Sequence, residues 1–509
     1  TYVKATSESH GEVGDKANDT LRINGDQVRA RVIGEGANLG VTQLGRIEAA
    51  HQGVKLNTDF IDNSAGVDCS DHEVNIKILL GRVVANGDMT AKQRNRLLES
   101  MTDEVASLVL RDNYLQTQAL TMVTAEAPEL LDQHARLMRA LEKQGRLNRE
   151  VELLPSDDVL TERLGRRQGL TRPELAVLLS YAKISVYDDI IESSLPDDDG
   201  LIQDLVAYFP QPLRETYRPV IETHRLRRDL IATSITNSIV NRTGPTFVSE
   251  TSDGTGMGSA DIARAYLIVR DSFDLRQLWQ QIEALDNKVD AETQTRMMLA
   301  SRRLIERATA WVLRHVGHDL VVGRQVEHFK PGVALLREHQ DALIHDRARA
   351  VLKDRVATYT ERGVPKTLAK TVASLNVMAA GLDLIRIADT IEAPVKSVAP
   401  AYFKLGDRLG LSWLRDSATR MPLGNHWQKQ ATAAIIDDLF ALQADLTVAA
   451  LSDGRKSAKA DGKVTGWLKR RRAPIDRIDQ LIAELRAMDH VDVSMLAVAN
   501  RRLRGLMGG

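Results

Sequence analysis

A single cysteine, Cys69, stands in a chain of 509 residues. That excludes an intrachain disulfide and a multi-cysteine zinc or iron–sulfur site, and it suits a reducing compartment, so a cytoplasmic location is expected. No run of 18 apolar residues occurs, so no membrane span and no membrane partner are expected. Thr1 to His10 is polar and lacks the apolar core of a secretory signal. Aromatic residues are scarce at 4%, and prolines number only 14, a composition that favours a large helical array. An excess of one charge is also missing. Lys plus Arg is 68 and Asp plus Glu is 69, a net charge of −1, which gives no global nucleic-acid footprint. What is present is a globular balance, 43% hydrophobic and 27% charged residues. At this length it allows roughly two to four domains.

The first seventy residues read as alternating α and β structure. The spacing predicts a short helix within Glu12 to Ile23, a turn at Asn24-Gly25, and a strand from Val28 to Ile33. A helix from Thr42 to His51 follows, then a strand from Val54 to Leu56, with Phe60-Ile61 as an extension. Strand, helix and strand at this spacing make a βαβ unit and imply a parallel sheet. Two or three strands cannot bury both faces of such a sheet. The chain also begins on Thr1, already in patterned sequence, so it is expected to be the later part of a longer polypeptide. From about Ala91 to Gly509 the periodicity is helical almost throughout. The expected fold is therefore an α/β remnant over 1–90, followed by an all-α region over 91–509. Inner boundaries are expected near 195–201, 245–259 and 451–462.

Two segments carry candidate chemistry. Gly34-Glu35-Gly36-Ala37-Asn38-Leu39-Gly40 follows the short strand Val28 to Ile33. Glycines at a strand's carboxyl end let a ligand approach the backbone, and Asn38 is placed to hydrogen-bond it. A tight strand-to-helix turn capped by Asn38 explains the same residues. The spacing is not that of the Gly-x-Gly-x-x-Gly fingerprint. The second segment runs from Asn63 to Glu73. Ser70-Asp71-His72-Glu73 reads as a capping box opening a helix to Val84, whose amino end could seat a carboxylate. Capping alone also explains Ser70, and a turn explains Asn63. Cys69 lies between Asp68 and Asp71, which disfavour a thiolate, so it is not read as a nucleophile.

The stretches "GEGANLGVTQLGRIEAA" and "NTDFIDNSAGVDCSDHEVNIKILL" together resemble the large, NAD-specific class of bacterial glutamate dehydrogenases. "LTRPELAVLLSYAK", "DLIATSITNSIVNRTGPTFV" and "LGLSWLRDSATRMP" extend the resemblance along the chain, towards mycobacterium-like members. It implies that 1–90 ends a Rossmann-like NAD-binding domain and that the whole protein oxidatively deaminates L-glutamate to 2-oxoglutarate. It also implies a homo-oligomer, with the helical region giving support and subunit contacts. By the same resemblance Gly36, Asn38 and Asn63 bind the cofactor NAD, and Ser70 binds the substrate's side-chain carboxylate. Ser64 departs from the alanine usual in the small enzymes. The family's catalytic lysine and aspartate and its phosphate turn are not matched here, so no catalytic residue is assigned and the segment alone is expected to be inactive. The competing reading is a standalone helical scaffold or regulatory subunit that retains an α/β relic.

Other features have plainer explanations. Gly254 to Ser259 lacks the Gly-Lys-Ser/Thr of a phosphate loop and reads as a helix–helix connection. His315, His318, His339 and His345 lack a metal-ligand spacing, so no metal is expected. Lys469 to Arg472 reads as a solvated helix end rather than a nucleic-acid contact. Ser234, Asn237, Ser238 and Asn241 read as a hydrogen-bonded helix interface.

Overall fold

The computed structural model describes residues 1–317, 319–344, 346–421, 426–453 and 460–507. Nearly all of it is helix. The sheet consists of two strands of two residues each, Val3–Lys4 and Ile23–Asn24, paired in parallel with Val3 opposite Ile23. Two isolated parallel bridges, Val3 to Val41 and Val32 to Lys55, add to it.

This overturns the expected α/β remnant: no Rossmann-like remnant is present among the described residues. The stretch Val28 to Ile33 contributes one bridge instead of a strand. The reason is lack of cover. A parallel strand is stable when both faces are buried, yet Val32 is 66% exposed. Phe60 and Ile61 do not extend a strand either; they lie in the short helix Asp59–Asp62. The expected helix within Glu12 to Ile23 is reduced to His10–Val13 and a 3-10 turn at Lys16–Asn18.

Where local signals and packing agree, the elements follow the sequence. The Thr42 hydroxyl accepts from the Gly45 N–H at 3.0 Å and opens the helix Gln43–His51. Thr171 and Glu174 form a capping box at the start of Arg172–Ile191, with Pro173 in the first turn. The box is reinforced from outside, because Arg163 donates to both oxygens of the buried Glu174, at 2.8 and 2.9 Å. Ser70 behaves otherwise. The helix it was expected to open begins six residues earlier and runs Ser64–Ala85, so Ser70 lies in its second turn with no free helix end beside it.

The described chain divides into two compact units. One comprises Thr1–Tyr266 with Val316–Gly323, the other Leu267–His315 with Arg324–Gly509. In the first, Arg172–Ile191 packs on Arg227–Thr243, burying Leu175, Leu178, Ile235 and Ile239 completely. Ser64–Ala85 packs on Thr102–Ala125. In the second, His426–Ser452 packs against Val395–Arg408 and Val493–Arg504, around a core holding Tyr402, Leu405, Leu439 and Leu446. No single helix among the described residues is long and apolar enough to cross a membrane. Lys366–Met378 and Gly381–Thr390 reach that hydropathy only as a pair bent by 52°, and both bury residues within the fold, among them Val372 and Leu382.

Candidate functional site

The loop from Gly34 to Gly40 is built around a buried carboxylate. Glu35, 5% exposed, accepts from Arg46 Nε at 2.6 Å and from Arg46 Nη2 at 2.9 Å. Its Oε1 also accepts the Val41 N–H at 3.0 Å, and its own N–H donates to Asp62 at 3.0 Å. Arg46, from the helix Gln43–His51, also reaches Asp59 at 3.2 Å, and Asp59 accepts the Leu39 N–H at 2.9 Å. Two charges and several backbone groups are thus mutually satisfied, as burial in a low dielectric requires. The effect is to hold the loop against the short helix Asp59–Asp62 and to push its tip outward.

At that tip Leu39 sits in the left-handed region with φ of 60° and is 68% exposed. A branched residue adopts this backbone only when its surroundings impose it. Gly36 and Asn38 are exposed beside it. A side chain at Gly36 would meet nothing within 4 Å, so its backbone faces open space.

Asn63 links the loop to the second segment. It stands between Asp59–Asp62 and Ser64–Ala85, and its side-chain N–H donates to the side-chain oxygen of Asn38 at 2.7 Å. Below it, Asn113 from Thr102–Ala125 donates to the Ile61 carbonyl at 2.8 Å and to the Ser64 hydroxyl at 3.0 Å, fixing the junction between the helices. Ser70 lies on the same helix seven residues past Asn63, exposed. That is two turns, or about 10 Å along the axis, on the same face. The structure therefore joins Asn38 and Asn63, leaves Gly36 exposed in the same loop, and sets Ser70 two turns away.

With this geometry established, comparison with known proteins decides the family. The family profile described as "Glutamate dehydrogenase, C-terminal" matches residues 167–505. The profile "Bacterial NAD-glutamate dehydrogenase, catalytic domain" matches residues 1–123. The chain belongs to the bacterial NAD-specific glutamate dehydrogenase family. It is similar to proteins named "NAD-specific glutamate dehydrogenase" from Pseudomonas aeruginosa, 46% identical over 508 residues, and Halomonas elongata, 43% over 504. A third, from Mycobacterium tuberculosis, is 38% identical over 504 residues. The Pseudomonas protein is thus more similar than the Mycobacterium one, although the quoted segments point to mycobacterium-like members. Each match covers 99% of this chain but only 31% of the relative, so the chain spans about a third of their length.

The bracing residues Glu35, Arg46, Asp59 and Asp62 escaped sequence reasoning. Glu35 sits inside a glycine-rich turn, where an acidic residue reads as solvated, and its partner lies eleven residues later in a different element. The one available hint is the pair of acids bracketing Phe60-Ile61. The structure places several of the other features. His315 bonds the Trp311 carbonyl at 2.9 Å and stacks on the Trp311 ring. His318 and His345 lie outside the described residues. Gly256, with φ of 71°, ends the helix Phe247–Thr255. Arg470 and Arg471 both reach Asp453, at 2.8 and 3.5 Å. Ser238 shares a hydrogen bond with the buried Tyr266 at 2.9 Å.

Proposed function

We propose that this chain forms part of an NAD-dependent glutamate dehydrogenase. The reaction takes L-glutamate, NAD⁺ and water to 2-oxoglutarate, ammonium, NADH and a proton. The observation that carries the reading is the Asn63–Asn38 hydrogen bond, which joins at 2.7 Å two motifs lying 25 residues apart. A solvated turn and an unrelated helix start would have no need of that contact.

The residues fit a nicotinamide cofactor in their chemistry. Carboxamide groups pair with amides and hydroxyls, and the open backbone at Gly36 admits close approach. When bound, NAD accepts the hydride from the substrate's α-carbon. Asn38 and Asn63 orient the ring by offering one donor and one acceptor on a braced loop. Ser70, two turns along, hydrogen-bonds the distal carboxylate. Ser70 would do so as an exposed hydroxyl on a helix face, without help from a helix end. The catalytic acid–base is not assigned to any residue of this chain. Support of the catalytic part and homo-oligomer contacts remain the reading for the long helical region.

The test is Ser70→Ala in the full-length protein. A carboxylate that loses one hydrogen bond loses about 1.5 kcal/mol, so discrimination for glutamate over aspartate should fall roughly tenfold. Unchanged discrimination would remove Ser70 from the site.

A further inference from the structure

On the opposite, inward face of Ser64–Ala85 lies a cluster that neither the motifs nor the proposed reaction uses. Asp68 and His72 are four residues apart, one turn above another, and Asp112 faces them from Thr102–Ala125. One ligand atom from each lies within 4.8 Å of the others. His72 is 1% exposed and stacks on the Tyr208 ring at a centroid distance of 4.4 Å. Both of its ring nitrogens lack a hydrogen-bond partner, and so does Asp68 Oδ2. Buried polar atoms are almost always satisfied, so one unpartnered His72 nitrogen beside the Asp68 and Asp112 carboxylates calls for a shared partner, the other ring nitrogen pointing away from it. Lys183 places a positive charge near Asp112, but no hydrogen bond from it reaches His72.

We propose that Asp68, His72 and Asp112 bind a divalent transition-metal ion of the zinc class. One imidazole with two carboxylates matches the preference of such ions, whereas calcium and magnesium favour all-oxygen shells. Ligand atoms around a tetrahedral zinc stand about 3.4 Å apart, given bonds of about 2.1 Å, so small side-chain rotations close the set. Asp68 and Asp112 are only half-buried, which leaves an entrance. The ion clamps the Ser64–Ala85 helix to Thr102–Ala125 beneath the face that carries Asn63 and Ser70. Its role is structural, and it stands or falls independently of the dehydrogenase reading. A sequence scan misses it because the third ligand lies forty residues beyond His72 on another helix.

The test is titration of the untagged full-length protein with Co²⁺, whose visible absorption reports a nitrogen and oxygen ligand set. Wild type should develop bands that saturate at one ion per chain, and Zn²⁺ should displace them. His72→Gln and Asp112→Asn should lose the bands. Asp68→Asn guards against unfolding: it relieves like-charge crowding with Asp112, so without metal its thermal midpoint should equal or exceed that of wild type. Zn²⁺ should raise the wild-type midpoint and leave that of Asp68→Asn unmoved. Absence of the bands in wild type, or their persistence in His72→Gln, would overturn the proposal.

Discussion

The Asn63 side-chain amide donates to the Asn38 side-chain oxygen at 2.7 Å, across 25 residues of sequence. This contact fixes the relative position of the loop Gly34 to Gly40 and the start of Ser64–Ala85. It engages the Asn38 oxygen and an Asn63 N–H, so in the proposed site the Asn38 N–H group and the Asn63 oxygen would serve the cofactor.

If the two asparagines act as a unit, their replacement should not be additive. Asn38→Ala and Asn63→Ala should each raise KM for NAD by roughly tenfold, equivalent to about 1.4 kcal/mol. The double variant should be little worse than either single one. A double-mutant cycle in the full-length enzyme reads this directly, and additive losses would mean that the residues work separately.

Arg46→Met should destabilise the loop by about 3–5 kcal/mol, because it strands the buried Glu35 carboxylate without its cation. The signature is local: amide exchange at Val41, whose N–H is held by Glu35, should accelerate strongly. Adding Glu35→Gln to Arg46→Met should recover part of the loss by removing the unpaired charge. Unchanged exchange at Val41 would show that the pair does not brace the loop.

Leu39 carries a left-handed backbone at an exposed position. Glycine adopts that conformation without the penalty of roughly 1–2 kcal/mol, though it adds entropy to the unfolded chain. Leu39→Gly should therefore be neutral or stabilising by up to about 1 kcal/mol in chemical denaturation. Leu39→Val, which is β-branched, should destabilise. A destabilised glycine variant would mean that the leucine side chain has contacts that matter more than its backbone.

Acid should weaken the fold through His224. Burial lowers its pKa below the ordinary 6.5. Its Nδ1 accepts the Leu226 N–H at 3.1 Å, while Nε2 faces the Asn75 carbonyl at 3.1 Å, which fixes the neutral tautomer with Nε2 protonated. Protonation would set a second N–H against Leu226. The folded state thus resists the proton that the unfolded chain takes up. The stabilising contribution is complete above pH 6.5 and is lost as pH falls towards the lowered pKa. His224→Gln should flatten the part of the stability curve that lies below pH 6.5. An unchanged slope would exclude His224 as its source.

How far the sequence could be read depended on where the deciding interaction lay. Thr42 and the Thr171–Glu174 pair are legible because a helix start is set by groups three residues apart. The long helical region is legible because periodicity is local and repeated. The site motifs were visible as strings, but the contact of Asn38 with Asn63 was not. The strands were over-read. Val28 to Ile33 has β-favouring residues, but a strand exists only where neighbours accept its hydrogen bonds and cover its faces, and here it forms one bridge.

Ser70 shows the same limit in a helix. Its capping pattern was valid locally, yet the chain was already helical. The turn Asp59–Asp62 runs on through Asn63, whose N–H donates to the Asp59 carbonyl at 2.7 Å. Asn113 then satisfies the Ile61 carbonyl and the Ser64 hydroxyl from another helix. By itself, then, the sequence determined the predominance of helix, the helix starts at Thr42 and Thr171 and the residues that mark the family. Tertiary structure decided the rest: which carboxylates are buried and paired, that Asn38 and Asn63 touch, and that Asp68, His72 and Asp112 converge. The physical reason is range. Capping and periodicity act within one or two turns, whereas burial and charge pairing depend on which distant helix comes to lie alongside.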